Sequence, residues 1–147
     1  MIHARELRIG NWVYMIDDST EAKEYLKESL HFDRLAQVTA FSQHDNGVVS
    51  HWKAKSIVGG AIHSGGYERN LYPILLTEEI LLKCGFVLTN GEFVNNGIQV
   101  VYDDGDAPGI VGDYRLRFNG TLRIIDNLHQ LQNLYWCLTG EELNVQL

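Results

Sequence analysis

The sequence predicts an α+β fold, and three observations predict it. Two capped helical segments bracket the second half of the chain, short β-prone segments fill the space between them, and the connections are too short for parallel crossovers. Parallel strands need about a dozen connecting residues, whereas only about two to six separate these segments, so the pairing is expected to be antiparallel. The expected architecture is one or more antiparallel β-meander sheets, or a small barrel, with two or three short helices packed on it.

The clearest element is the C-terminal helix from Asp126 to Gly140. Asp126 is placed to cap the first free amides. Leu128, Leu131, Leu134 or Tyr135, and Leu138 recur at helical spacing, and Gly140 supplies a left-handed stop. A second helix is expected after Thr77, whose hydroxyl can cap it; Glu78 and Glu79 occupy the first turn, where the dipole favours anions. Ile80, Leu81 and Cys84 form its apolar side, Gly85 ends it, and Phe86 lies where a Schellman contact falls.

Between these helices, β-prone segments near 86–89, 92–95, 98–103, 110–118 and 121–125 are punctuated by Asn90-Gly91, Asn95-Asn96-Gly97, Asp103-Asp104-Gly105-Asp106 and Asn119-Gly120. In the first half, Leu7 to Ile16 reads as a strand bent at Gly10-Asn11. Asp18 to Glu21 has capping-box spacing, which predicts a short helix over about 19–30. Strands over 35–43 and 48–54 flank the hairpin signal Asp45-Asn46-Gly47. A glycine-rich segment at 56–70, densest at 59–66, reads as a loop between the β-rich N-terminal half and the helix–β–helix C-terminal half. The whole of 1–147 is expected to form a single domain.

Composition narrows the function classes. At 147 residues, with 45% hydrophobic and 21% charged residues, the chain is a globular domain without need of a disulfide or metal staple. A net charge of -7 opposes a phosphate backbone, so general nucleic-acid binding is not expected. No signal peptide or run of about 18 apolar residues is present, and Cys84 and Cys137 read as buried small hydrophobes in a reducing compartment. Cytoplasmic localisation without membrane association is the expectation.

Three segments, Glu6-Leu7-Arg8-Ile9-Gly10-Asn11-Trp12-Val13, Pro73 to Phe86 (PILLTEEILLKCGF) and His129-Gln130-Leu131-Gln132-Asn133-Leu134-Tyr135, followed by Leu138 to Leu143 (LTGEEL), carry a resemblance. They resemble small uncharacterised proteins encoded in phages, prophages and mobile elements of Bacteroidetes. The resemblance implies a phage or mobile-element origin and no particular activity. The helix at 19–30 and the glycine loop look like elaborations of that pattern.

No catalytic constellation can be assembled from spacing, so the chain is not expected to be an enzyme and no cofactor is implied. The six histidines, His3, His31, His44, His51, His63 and His129, lack zinc spacing, and no metal site is expected. His44 and His51 sit on either side of the 45–47 turn, where an exposed or hydrogen-bonded pair is favoured over a metal site. Asp103, Asp104 and Asp106 lack a calcium-loop frame and read as a solvated turn.

Two candidate sites remain. In the 59–69 segment, Gly60 and Gly65 would let amides approach a phosphate, His63 lies between them, Arg69 would pair with the anion, and Tyr67 would stack on a base; a ligand-free connector is the plainer reading. His129, Gln132 and Trp136 recur on one side of the C-terminal helix and form a candidate partner face, against core filling as the plainer alternative. The expected function is binding of a host or phage protein, with self-association as a further candidate. The alternative is a small-ligand or nucleotide-sequestering protein that uses the 59–69 loop.

Overall fold

A computed structural model describes residues 2, 6–16, 35–43, 49–56, 60, 62–66, 71–105 and 112–147. The chain divides into two compact units, Met1–Ile74 and Leu75–Leu147. Each is built on an open antiparallel five-stranded sheet, so the α+β class holds and neither sheet closes into a barrel. The expected helix over 19–30, the hairpin tip at Asp45-Asn46-Gly47 and the side chain of His44 lie outside the described residues.

The first sheet has the order β4-β3-β2-β1-β5, from β1 (Trp12–Met15), β2 (Leu35–Gln43), β3 (Val49–Ser56), β4 (Ile62–Gly66) and β5 (Leu71–Tyr72). The bend before β1 is built by Asn11, whose buried side-chain Oδ1 accepts a bond from the Arg8 amide at 2.6 Å. Gly10, at φ 95°, then donates to the Val38 carbonyl at 2.8 Å, joining the bend to β2. An Asx-type side-chain bond of this kind replaces a backbone ladder where the chain must turn. Ile2, Leu7, Val13, Ala36, Val38, Trp52, Ala54 and Leu71 form the core beneath, with Met15 and Phe41 packed against it.

The glycine-rich segment departs from the expected loop. Ile62–Gly66 pairs antiparallel with β3 as an edge strand, with His63 opposite Ala54 and Gly65 opposite Trp52. Glycine within a strand often marks a place where another group approaches closely, and Gly65 holds the register position opposite Trp52. Composition alone reads such a stretch as flexible because its glycines mask the strand pattern, although the pairing partner, 49–56, lies only a few residues upstream.

The second unit is a meander in strict chain order: β6 (Val87–Thr89), β7 (Glu92–Asn95), β8 (Ile98–Asp103), β9 (Asp113–Phe118) and β10 (Thr121–Ile125). Three of its hairpins close through Asn-Gly pairs, 90–91, 96–97 and 119–120, in which both residues have positive φ. That is the two-residue turn whose twist matches the flanking strands, and Asn and Gly are the residues that adopt it at least cost.

Two helices belong to this unit. Helix α1 (Glu78–Lys83) starts at Thr77, whose Oγ1 accepts from the Ile80 amide at 3.2 Å. At its other end the Phe86 amide donates to the Leu81 carbonyl at 3.1 Å and the Gly85 amide to that of Leu82 at 3.0 Å, a complete Schellman motif with Gly85 at φ 77°. Helix α2 (Leu128–Thr139) ends at Gly140, φ 75°, as expected. Its start is shifted by one residue: Asn127, not Asp126, holds the cap position without a side-chain bond, and Gln130 Oε1 reaches back to accept from the Asp126 amide at 2.9 Å. The Asp126 carbonyl is meanwhile the acceptor for the Leu76 amide at 2.9 Å, which commits Asp126 to an extended pairing.

Candidate functional site

The register separates the two faces of the second sheet. One carries Phe93, Asn95, Ile98, Val100, Tyr114, Leu116 and Ile125; the other carries Val87, Glu92, Val94, Val101, Asp103, Asp113, Arg115, Arg117, Leu122 and Ile124. Asn95 shows which face the helices take. Its Nδ2 donates to the carbonyl of Cys84 at the end of α1 (3.0 Å), and its Oδ1 accepts from the Tyr135 hydroxyl of α2 (3.5 Å).

A polar cleft of about 360 Å³ opens beside this junction, lined among others by Lys83, Asn95, Tyr135, Glu141 and Asn144. Its central groups already serve one another: Asn95 bridges the two helices, Lys83 Nζ pairs with Glu79 at 3.1 Å, and the Gln146 amide donates to the Lys83 carbonyl at 2.9 Å. The cleft is where the C-terminal tail is fastened. Cys84 beside it is buried, and burial pushes its thiol up to about 12, so it is no nucleophile at neutral pH. Cys137, expected to be buried, is exposed, because the inward stripe of Leu128, Leu131 and Tyr135 turns position 137 outward.

The opposite face carries exposed aliphatic side chains. Val87, Leu122 and Ile124 are 63%, 46% and 59% exposed, and Val94 and Val101 are half-buried between them. Charged side chains cross this face in pairs: Arg115 Nη1 lies 2.6 Å from Asp103 Oδ2, and Arg117 Nη1 lies 3.3 Å from Glu92 Oε1. Asp103 Oδ1 also accepts from the Gly105 amide at 3.1 Å, so its role is to hold a turn and an arginine. Among the described residues no group of three or more His, Cys, Asp or Glu side chains is placed to hold a metal ion.

The residues singled out from sequence fall differently. Gly60 is an exposed turn residue at φ 65°, while His63 and Gly65 lie along β4. Tyr67 and Arg69 lie outside the described residues. His63 and Gly65 thus stand in extended backbone, which does not curl its amides around an anion as a turn does, while Gly60 is in a turn outside the strand. On α2, His129 and Gln132 are buried and only Trp136, 43% exposed, faces outward, so the three share no accessible surface. The exposed face of the second sheet was missed. Its signal in the sequence is slight: Thr121-Leu122-Arg123-Ile124 alternates polar and apolar, and only the adjacent Ile124-Ile125 places an apolar residue on each side of the strand.

No protein-family model, curated protein or solved structure matches the chain.

Proposed function

We propose that this chain is a small cytoplasmic protein of phage or mobile-element origin that acts by binding a host or phage protein. The observation that carries this reading is the outer face of the second sheet, where exposed Val87, Leu122 and Ile124 alternate with cross-strand ion pairs. Exposed apolar groups rimmed by charge are the composition of a protein interface, in which aliphatic contacts supply burial and the charges set register. The acidic net charge of -7 supports a protein partner over nucleic acid. Among the described residues, no helix is long and apolar enough to cross a membrane.

The test is capture by cross-linking in a Bacteroidetes host that expresses the tagged chain. One stoichiometric protein is expected, and its recovery should fall at least about tenfold in a Leu122→Asp/Ile124→Asp double variant, because charge on a buried apolar contact carries a large desolvation cost. Recovery of abundant background proteins alone, or equal recovery by the variant, overturns the reading.

A further inference from the structure

We infer that β10 is a recognition edge that takes an extended peptide as a sixth, antiparallel strand, and that the peptide presents an acidic residue to Arg123 between two aliphatic residues. The inference rests on the partner-binding reading and names the site and the partner's chemistry.

The open backbone groups follow from the turn. Thr121 pairs with Phe118 across Asn119-Gly120, so these two exchange both backbone bonds, and pairing alternates from there: Arg123 with Leu116 and Ile125 with Tyr114 are bonded inward. The N–H and C=O groups of Leu122 and Ile124 therefore point away from β9. Among the described residues they meet no backbone partner, and their one hydrogen bond is from Arg123 Nη1 to the Leu122 carbonyl, at 3.4 Å. Residues 121–124 are all exposed.

The edge lacks the usual protections. Natural edges are kept short, bulged, or interrupted by proline or charge. β5 has two residues and β6 has three; β4 contains two glycines. β10 runs five residues, Thr-Leu-Arg-Ile-Ile, in unbroken register with no Pro or Gly, and its single charge is Arg123.

Charge selects the occupant. The segment Tyr114–Ile125 carries three arginines and no carboxylate within a chain of net charge -7. Arg115 and Arg117 have carboxylate partners inside the sheet; among the described residues Arg123 reaches only the neighbouring carbonyl. An added strand would face Arg123 across a non-hydrogen-bonded pair, where opposed side chains come closest, so a Glu or Asp there would pair with Arg123 on the face opposite to that of the Arg115 and Arg117 ion pairs. Aliphatic residues on either side would extend the Leu122 and Ile124 row. A second copy of β10 is the poorer occupant, because in-register self-pairing centred on residue 123 sets arginine against arginine.

The test is selection of surface-displayed random octapeptides on the full chain, followed by amide exchange with the synthesised winners. Aliphatic–acidic–aliphatic peptides should be enriched, and binding one should protect the Leu122 and Ile124 amides, which exchange freely beforehand. Arg123→Glu should weaken that peptide at least about tenfold and recover binding to its acid-to-Lys counterpart. Ile124→Pro should abolish binding, because that amide is not used by β9 and proline is tolerated at such a position. Should the proline variant fail to fold, the exposed Arg123→Glu exchange carries the test alone. Peptides of another pattern, binding without protection at 122 and 124, or no enrichment each overturn the edge assignment. The cross-linking capture, which needs no edge pairing, shows separately whether a partner exists.

Discussion

The two cysteines show how far a single residue's fate depends on its turn of the helix. Both sit in apolar helical sequence, yet Cys84 closes the buried side of α1 and Cys137 faces out of α2. Burial raises the Cys84 thiol from an ordinary 9.0 to about 12, so the folded protein keeps a proton that the unfolded chain releases. A group whose folded pKa is raised contributes its stability in full below the unfolded value and loses it as pH climbs toward the folded one; the affected window is therefore pH 9 to about 12. Iodoacetamide at pH 8.5 is expected to add one adduct to the native protein, at Cys137, and two in urea. Over pH 9 to 11 the denaturation midpoint should fall less steeply in Cys84→Ala than in the parent chain. Two native adducts would refute the burial of Cys84.

At the scale of elements, the sequence was legible wherever a local residue dictates a local conformation. Asn-Gly pairs at 90–91, 96–97 and 119–120 placed three hairpins, and Thr77 and Gly85 marked both ends of α1. Gly85 is the sharpest instance, since φ 77° is costly for any residue with a Cβ and most of all for a β-branched one. Gly85→Val is expected to destabilise the protein by more than about 1 kcal/mol in urea unfolding, with the slope unchanged. An unchanged midpoint would mean that the Schellman bonds from Gly85 and Phe86 contribute little. What was not legible depends on partners outside the segment itself, whether on the neighbouring strand or far along the chain. β4 looks like a loop until β3 supplies its ladder, and Asp126 looks like a cap until Leu76 takes its carbonyl. The partner face fared likewise: helical spacing put His129, Gln132 and Trp136 near one another but gave no account of burial, while 121–125 was legible as a strand but not as a sheet edge, since strand order is not written in a segment's own residues.

For the whole molecule, the division at 74–75 yields a physical expectation about cooperativity. The second unit contains complete devices of its own: a five-strand meander with local turns, two helices stopped by Gly85 and Gly140, and a tail fastened through Gln146 to Lys83. Its buried apolar set, including Phe86, Phe93, Val100, Leu116, Leu128 and Leu131, is drawn from residues 75–147. Its strand pairs are sequence neighbours, so little loop entropy opposes their formation. A fragment spanning 75–147 is therefore expected to fold alone, with dispersed amide resonances and one cooperative urea transition. About 70 residues lies near the size at which a lone core gives only a few kcal/mol, so the fragment's midpoint should fall below that of the full chain. If the fragment shows collapsed resonances and no transition, the two units require each other and the chain folds as one domain, as its composition and length suggested. A folded fragment would also let the β10 edge be assayed apart from the first sheet, and peptide binding that survived there would locate the recognition surface within residues 75–147.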